Sequence, residues 1–145
     1  MAINYTNDYK NILDKLESII ESEFKGALPV YKGSNMPQGM NQGMQIIPLG
    51  DTLSEYTSTS ELREYSFTLR YVFAEANVNE KVLDHILAQV SRIKYLIKKN
   101  MSMQLSDNSH AVNCRIDSTE LIDDEEVGVH ITEFDYKCQH LIVTS

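Results

Sequence analysis

The side chains best suited to bind a metal ion in this sequence are four histidines and two cysteines: His85, His110, His130, His140, Cys114 and Cys138. His85 has no second ligand at the spacing of three or four residues that would share its helix face. His110 and His140 lie nearly opposite if the last two strands pair, but a cysteine would have to be the third ligand. Because polar-face or half-buried histidines are far more common than such sites, we expect no metal and no cofactor.

The two cysteines also lack the spacing of a redox or zinc motif. Cys114 and Cys138 fall in the same predicted hairpin, nearly opposite each other, so a disulfide between them is one interpretation. Two small buried thiols in a reducing compartment are the other interpretation, and the one we expect.

Motifs of the common enzyme classes do not occur in the sequence. Gly39 and Gly43 lie in a Met- and Gln-rich segment without the Lys-Ser or Lys-Thr of a phosphate-binding loop. Gly-x-Ser-x-Gly is absent. The run Asp123-Asp124-Glu125-Glu126 lacks the spaced ligands and central glycine of a calcium loop, so it indicates a charged turn. We therefore expect a protein that is not an enzyme.

The charge of the chain is acidic and unevenly distributed. A formal net charge of −8 argues against general binding to nucleic-acid phosphates. The stretch from Asp117 to Asp135 contains acids and no Lys or Arg, whereas the second predicted helix ends in a basic cluster: Arg92, Lys94, Lys98 and Lys99. Solvation and the helix dipole explain part of this cluster. Alternatively, the acidic turn of one copy meets the basic cluster of the next in a head-to-tail ring.

Length and patterning favour one domain, residues 1–145. No apolar run approaches the roughly 20 residues that cross a bilayer, and the first residues lack the basic start and apolar core of a signal peptide. We therefore expect no membrane contact and a protein that stays where it is synthesised.

Two segments have the apolar spacing of amphipathic helices. The first runs from about Asn7 to Phe24, with Thr6 or Asn7 suited to cap its start. The second covers Asn79–Lys99, and Asn77 is placed to cap it in a pattern that resembles a capping box.

Alternation of apolar and polar residues predicts strands with one exposed face. The clearest is Leu62–Phe73, whose odd positions from Tyr65 onwards are aromatic or apolar. Two long strands, His110–Ile122 and Val127–Val143, end the chain as a hairpin that turns at 123–126. A change of face between Ile131 and Phe134 predicts a bulge in the last strand.

The segment 33–43 has three glycines, a proline and two methionines, Met36 and Met40. A passive mobile loop is one interpretation. An arm that orders against a neighbouring subunit is the other, because methionine suits adaptable contacts. Short strands are expected on either side, at Leu28–Lys32 and Gln45–Leu49, followed by a polar turn or excursion from Gly50 to Ser60.

These elements predict an α+β fold, with two helices packed on one face of a mixed or antiparallel sheet of about four to five strands. The predicted core combines the apolar faces of both helices and of the strands: Ile12, Leu16, Ile19, Phe67, Leu69, Tyr71, Val82, Ile86, Val90, Ile93 and Ile116.

The order of these elements resembles the tail terminator proteins of long-tailed bacteriophages and their head–tail neck relatives. The resemblance covers nearly the whole chain, from the N-terminal helix through the aromatic strand to the acidic hairpin, and it includes the stretches 63–69 and 131–136. It implies a ring of identical subunits, typically a hexamer, that caps the completed tail tube and joins it to the head. The implied partners are the tail tube protein and neck or connector proteins, in the virion and, during assembly, in the host cytoplasm.

Candidate contacts in such a ring combine the loop methionines, the basic cluster and the acidic turn: Met36, Met40, Arg92, Lys94, Lys98, Lys99, Asp123, Asp124, Glu125 and Glu126. Another phage connector or baseplate component is an alternative function. So is a cellular protein-interaction adaptor domain, which would have one apolar surface patch.

Overall fold

The computed structural model describes residues 3–33, 41–75, 79–124 and 128–143. They form two helices and six strands: α1 (Asp8–Phe24), β1 (Val30–Lys32), β2 (Gln42–Tyr56), β3 (Ser60–Ala74), α2 (Glu80–Lys99), β4 (Met103–Gln104), β5 (His110–Asp124) and β6 (Val129–Val143). The strands join in one mixed sheet of order β1-β2-β3-β6-β5-β4, in which β1 and β2 are parallel and the other neighbours antiparallel. The α+β class agrees with the prediction, but the sheet has six strands rather than four to five.

The core lies on one face of this sheet, beneath both helices. The odd positions of β3 and the even positions of β6 share that face, since Phe67 pairs with Tyr136 and both are fully buried. On α1, the Tyr9 ring lies 6.3 Å from the Phe67 ring, and on α2 the His85 ring lies 5.4 Å from that of Phe73. Of the predicted core residues, Ile19, Val82 and Ile116 are half-buried and the rest are buried.

The second strand is much longer than predicted. The proposed excursion from Gly50 to Ser60 is strand as far as Tyr56, and the turn after it is only Thr57–Thr59. The Thr57 side chain accepts a hydrogen bond from the Ser60 N–H at 3.0 Å, which closes this turn. Pairing with β3 supplies the backbone partners, so the low strand propensity of this polar segment does not decide its structure.

The bulge predicted in the last strand is wrong, and the irregularity belongs to β5. Strand β6 pairs with β3 without a break from Val129 to Val143, and its even positions from His130 to His140 are all buried. The prediction failed because His130 and Thr132 are polar but face the core. In β5 the register shifts between Val112 and Arg115. Two consecutive buried positions in β5, Ala111 and Cys114, are therefore three residues apart, and Val112 faces the opposite side.

The helix ends follow local capping chemistry. Asn7 accepts from the backbone N–H three residues later at 3.1 Å, and Gly26 (φ 79°) follows the end of α1 in a left-handed conformation. The cap of α2 is Asn79, which accepts from the Val82 N–H at 3.0 Å. The predicted cap Asn77 lies outside the described residues. Neither helix in the described part of the chain is long and apolar enough to cross a membrane.

Candidate interaction surfaces

The histidines do not converge on a metal site. His140 pairs with Ala111 rather than with His110, so the two histidines point to opposite faces of the sheet. This corrects the prediction that they lie nearly opposite: the pairing is offset from it by one residue, and one residue reverses the face to which a side chain points. Within the described ranges no three His, Cys, Asp or Glu side chains are close enough to hold a metal ion.

The buried His140 instead joins a polar cluster at one end of the sheet. Its Nε2 lies 2.9 Å from the Ser109 Oγ, whose hydroxyl donates to the Asp107 carboxylate. Its Nδ1 lies 3.9 Å from the Asp8 Oδ1, beyond hydrogen-bond distance. Burial raises the pKa of Asp8 above its usual value, while the nearby His140 opposes that shift.

Ser, His and Asp are the residue types of a catalytic triad, in which the serine hydroxyl donates its proton to the histidine. The hydrogen bonds in this cluster have a different arrangement. Because the Ser109 hydroxyl donates to Asp107, the His140 Nε2 must donate to Ser109 rather than accept its proton. Tyr65 adds a hydroxyl that donates to Asp8 at 3.5 Å. The cluster therefore links the start of α1, the turn before β5 and the end of β6.

The two cysteines are free, buried thiols in neighbouring strands. Hydrogen bonding with Cys114, together with burial, raises the pKa of Cys138. The adjacent Tyr136 hydroxyl is buried and lies close to both thiols, which are weak hydrogen-bonding groups, but no described group has the geometry of a hydrogen bond to it. Burial, with smaller contributions from both thiols, raises the pKa of Tyr136 well above its usual value. The thiols therefore serve as small apolar side chains in the core.

The predicted ring contacts are only partly described by the structure. Met36, Met40, Glu125 and Glu126 lie outside the described residues. Asp123 and Asp124 end strand β5, where their backbones pair with His130 and Val129. The predicted roles of the acidic turn and of the loop methionines in ring contacts stay predictions.

Arg92 packs against α1 within its own chain. Its Nε donates to the Glu23 carboxylate at 3.0 Å, its Nη2 donates to the Glu23 carbonyl at 2.8 Å, and its guanidinium lies 4.3 Å from the centre of the Phe24 ring. These contacts fasten α2 to the end of α1. By contrast, the side chains of Lys94, Lys98 and Lys99 are exposed and have no acidic partner in the described part of the chain.

Two of those lysines border a groove between α2 and β5, which we call the α2–β5 groove. It has a volume of about 520 Å³, and its lining includes Lys94, Tyr95, Lys98, Met101, Arg115 and Ile116. Tyr95 is 67% exposed and Met101 is 59% exposed, so two large apolar side chains border the groove together. Arg115 is paired with Asp117 and Glu64, so Lys94 and Lys98 are the cations that remain available there.

Our sequence reasoning missed Tyr95 and Met101. Tyr95 lies off the apolar stripe of α2, among lysines, and an aromatic residue on the polar face of a helix was the available signal. Met101 lies beyond the end of the helix, outside every apolar pattern in the sequence. The lysines were chosen for their charge, whereas the structure shows that they border an apolar groove.

The acidic end of β5 carries an exposed apolar side chain. Leu121 is 57% exposed, and Glu120 beside it is exposed without an ion-pair partner among the described residues. We call the segment Thr119–Ile122 the β5 end. It lies on the same strand as the groove residue Ile116, five residues further along.

The face of the sheet opposite the helices, here called the outer face, has a charged centre and an apolar patch. Arg70 pairs with Glu133 at 3.3 Å, and Lys137 lies 3.5 Å from Asp117. Near the β2–β3 turn, a group of apolar side chains borders a shallow cavity: Leu62, Val112, Leu141 and Val143. We call these four residues the outer-face patch. Leu62 and Leu141 are paired in register, so they form one surface.

No protein-family model matches this chain, and no curated protein sequence matches it. The fold is similar to a chain from the virion of a native gene transfer agent particle. The TM-score is 0.61, and the match covers 95% of this chain and 100% of the other at 8% sequence identity. At this identity the similarity concerns the fold, over nearly the whole length of both chains.

Proposed function

We propose that this chain is a structural protein of a phage-like virion. The observation that carries the proposal is the fold similarity to a chain of the gene transfer agent virion, which extends over nearly all of both chains. A fold alone does not determine function, so the proposal also depends on the surfaces. Exposed apolar side chains border two separate cavities, at the α2–β5 groove and at the outer-face patch.

Within such a particle, we propose the role of a tail terminator or neck protein. Identical subunits form a ring, a hexamer in this proposal, that caps the completed tail tube and joins it to the head. Its partners are further copies of itself, the tail tube protein and neck or connector proteins. Assembly takes place in the host cytoplasm. The proposal assigns no catalytic residue and no cofactor.

The test is to add the purified protein to growing tail tubes of its own phage and to image the tube ends by negative-stain electron microscopy. Tubes should stop growing and carry a ring at one end. Leu121→Lys, which places a charge on the β5 end, should reduce capping. Lys81→Glu, at the start of α2 and outside the groove, is the matched surface control. Uncapped, growing tubes in the presence of wild-type protein would refute the terminator role.

The outer-face patch supports a second candidate, an adaptor domain that binds one partner through an apolar surface. Such a protein would be a monomer or dimer with no ring. Mass photometry and electron microscopy of the isolated particle separate the two candidates, because a ring contributes several copies of the chain at one axial position. If purified virions lack this chain altogether, the adaptor role is favoured.

A further inference from the structure

We infer that the α2–β5 groove of one copy binds the β5 end of a second copy, with Leu121 of that copy against Tyr95 and Met101. This inference rests on the proposed self-assembly and identifies the surfaces responsible for it. It replaces the predicted contact through Arg92, which is used within the chain.

Apolar contact supplies the first part of the argument. Tyr95 and Met101 are more than half exposed, and they lie over a floor that includes the buried Ile97. The β5 end projects Leu121, also more than half exposed, from a strand whose pairing with β6 holds it in place. Because the strand already fixes the backbone, only the side-chain rotamers of Leu121 lose freedom on binding, which favours it as an anchor.

Charge complementarity supplies the second part. Lys94 and Lys98 border the groove without acidic partners in the described ranges, and Glu120 next to Leu121 is likewise exposed and unpaired there. Leu121 and Glu120 point to opposite faces of the strand, so two unpaired cations around an apolar groove match a strand end that carries an exposed apolar residue on one face and an exposed carboxylate on the other. Exposed pairs add little affinity, about 0–1 kcal/mol each, so their main effect is on register and association rate. Association should therefore weaken as salt concentration rises.

Geometry requires that the two surfaces come from different copies. Ile116 in the groove and Leu121 at the β5 end are separated by roughly 17 Å along one strand, at about 3.4 Å per residue. Strand β5 is paired with β6 over this span, so a chain cannot fold its own β5 end into its own groove. A contact between two different surfaces repeats from copy to copy. It closes into a ring when the rotation between neighbouring copies allows it.

Cysteine trapping tests the contact directly, even if association is weak. Tyr95→Cys protein is mixed with Leu121→Cys protein at high concentration and oxidised with glutathione disulfide, and the bridges are located by peptide mapping. A heterodimer bridged between positions 95 and 121 is the expected product. Leu53→Cys replaces Leu121→Cys in the control, because Leu53 is also an exposed strand leucine, at 45%. Equal trapping with position 53, or none with position 121, would overturn the inference.

Charge-changing variants then test the two surfaces separately by sedimentation velocity. Lys94→Glu with Lys98→Glu disables the groove, and Leu121→Lys disables the β5 end. Each variant alone should associate at least about tenfold more weakly than wild type, a difference of roughly 1.4 kcal/mol. Mixed together they should recover one-to-one pairs, because each retains the surface that the other lacks. The double variant Lys25→Glu, Lys81→Glu changes the net charge by the same amount as the groove variant, but at positions outside the groove. It should associate like wild type.

The two proposals fail in different ways. If the variants associate like wild type, or if the mixture recovers nothing, the groove contact is wrong whatever the particle contains. If trapping and mixing succeed while tail tubes remain uncapped, the contact is supported and the terminator role fails. A closed symmetric dimer bridged through positions 95 and 121 likewise supports the contact and refutes the ring.

Discussion

Removing the Tyr136 hydroxyl should not destabilise this protein, although the residue is fully buried. The ring packs in the core against Phe67, with centroids 6.1 Å apart, whereas the hydroxyl has no hydrogen-bond partner among the described residues. A buried polar group without a partner costs about 1–3 kcal/mol in lost solvation. Tyr136→Phe retains the ring and removes that cost. The small void that it leaves, and the loss of a weak contact with the neighbouring thiols, offset part of the gain.

We therefore expect the free energy of unfolding of Tyr136→Phe to be unchanged or higher by up to about 2 kcal/mol. Tyr71→Phe is the matched control. Tyr71 is equally buried on the same face of the sheet, but its hydroxyl donates to the Gln42 side chain at 3.1 Å. Loss of that bond should lower the free energy of unfolding by about 1 kcal/mol.

Urea denaturation measures both variants, and unchanged m-values are needed before midpoints are compared. Both substitutions remove one oxygen atom from a buried tyrosine. The sign of the difference between their free energies of unfolding is therefore decisive. If Tyr136→Phe loses as much stability as Tyr71→Phe, the Tyr136 hydroxyl has a partner in solution, and the assignment of an unsatisfied group is wrong.

Three further substitutions test packing, helix docking and pH dependence. Phe67→Ala should lower the free energy of unfolding, measured in urea, by about 3–5 kcal/mol because its side chain is fully buried. Leu83→Ala, on the exposed face of α2, should lower it by less than about 1 kcal/mol. Arg92→Ala should lower the free energy of unfolding by about 0.5–2 kcal/mol, since it removes an exposed ion pair with Glu23 and the cation–π contact with Phe24, and an unchanged urea midpoint would contradict the docking role. The Tyr9 hydroxyl, with Arg63, holds the pKa of Asp51 below its ordinary 3.8, so this stabilisation is present above that pH and is lost as the pH falls through the lowered value. Tyr9→Phe should therefore make the fall in stability between pH 5 and pH 2 shallower, and a curve parallel to wild type would contradict this reasoning.

Periodicity predicted the helices and the aromatic strand well, because their apolar residues repeat over many turns or pairs. Helix α1 was predicted within one residue of its observed bounds, and Asn7 caps it. Strand β2 was underestimated because Pro48 and the polar stretch after it have low strand propensity. Its pairing with β3 continues through register shifts on both sides of Gly50, which no local pattern signals.

Buried polar residues caused the main error in the last strand. His130, Thr132 and His140 face the core on the same side as Phe134 and Tyr136. Hydrophobicity alone assigns the first two to the solvent face, and a bulge is then needed to bring the later aromatic residues into the core. Their partners come from distant elements: the His140 side chain contacts Ser109, and the His130 ring lies 3.3 Å from the Glu75 carbonyl oxygen. Only the tertiary structure supplies those partners.

The basic cluster shows why charge runs predict surfaces poorly. By sequence alone, Arg92, Lys94 and Lys98 are equivalent cations on one helix, and all three were assigned to one contact. In the structure, the Arg92 guanidinium pairs with Glu23 and packs over the Phe24 ring of α1. The two lysines instead border an apolar groove, with no acidic partner in the described ranges. A cation that already has an internal partner gains little from a second one, because further desolvation offsets the added attraction. The cations that remain unpaired next to exposed apolar area are the ones that can recruit another molecule, and Tyr95 and Met101 mark that area on this helix.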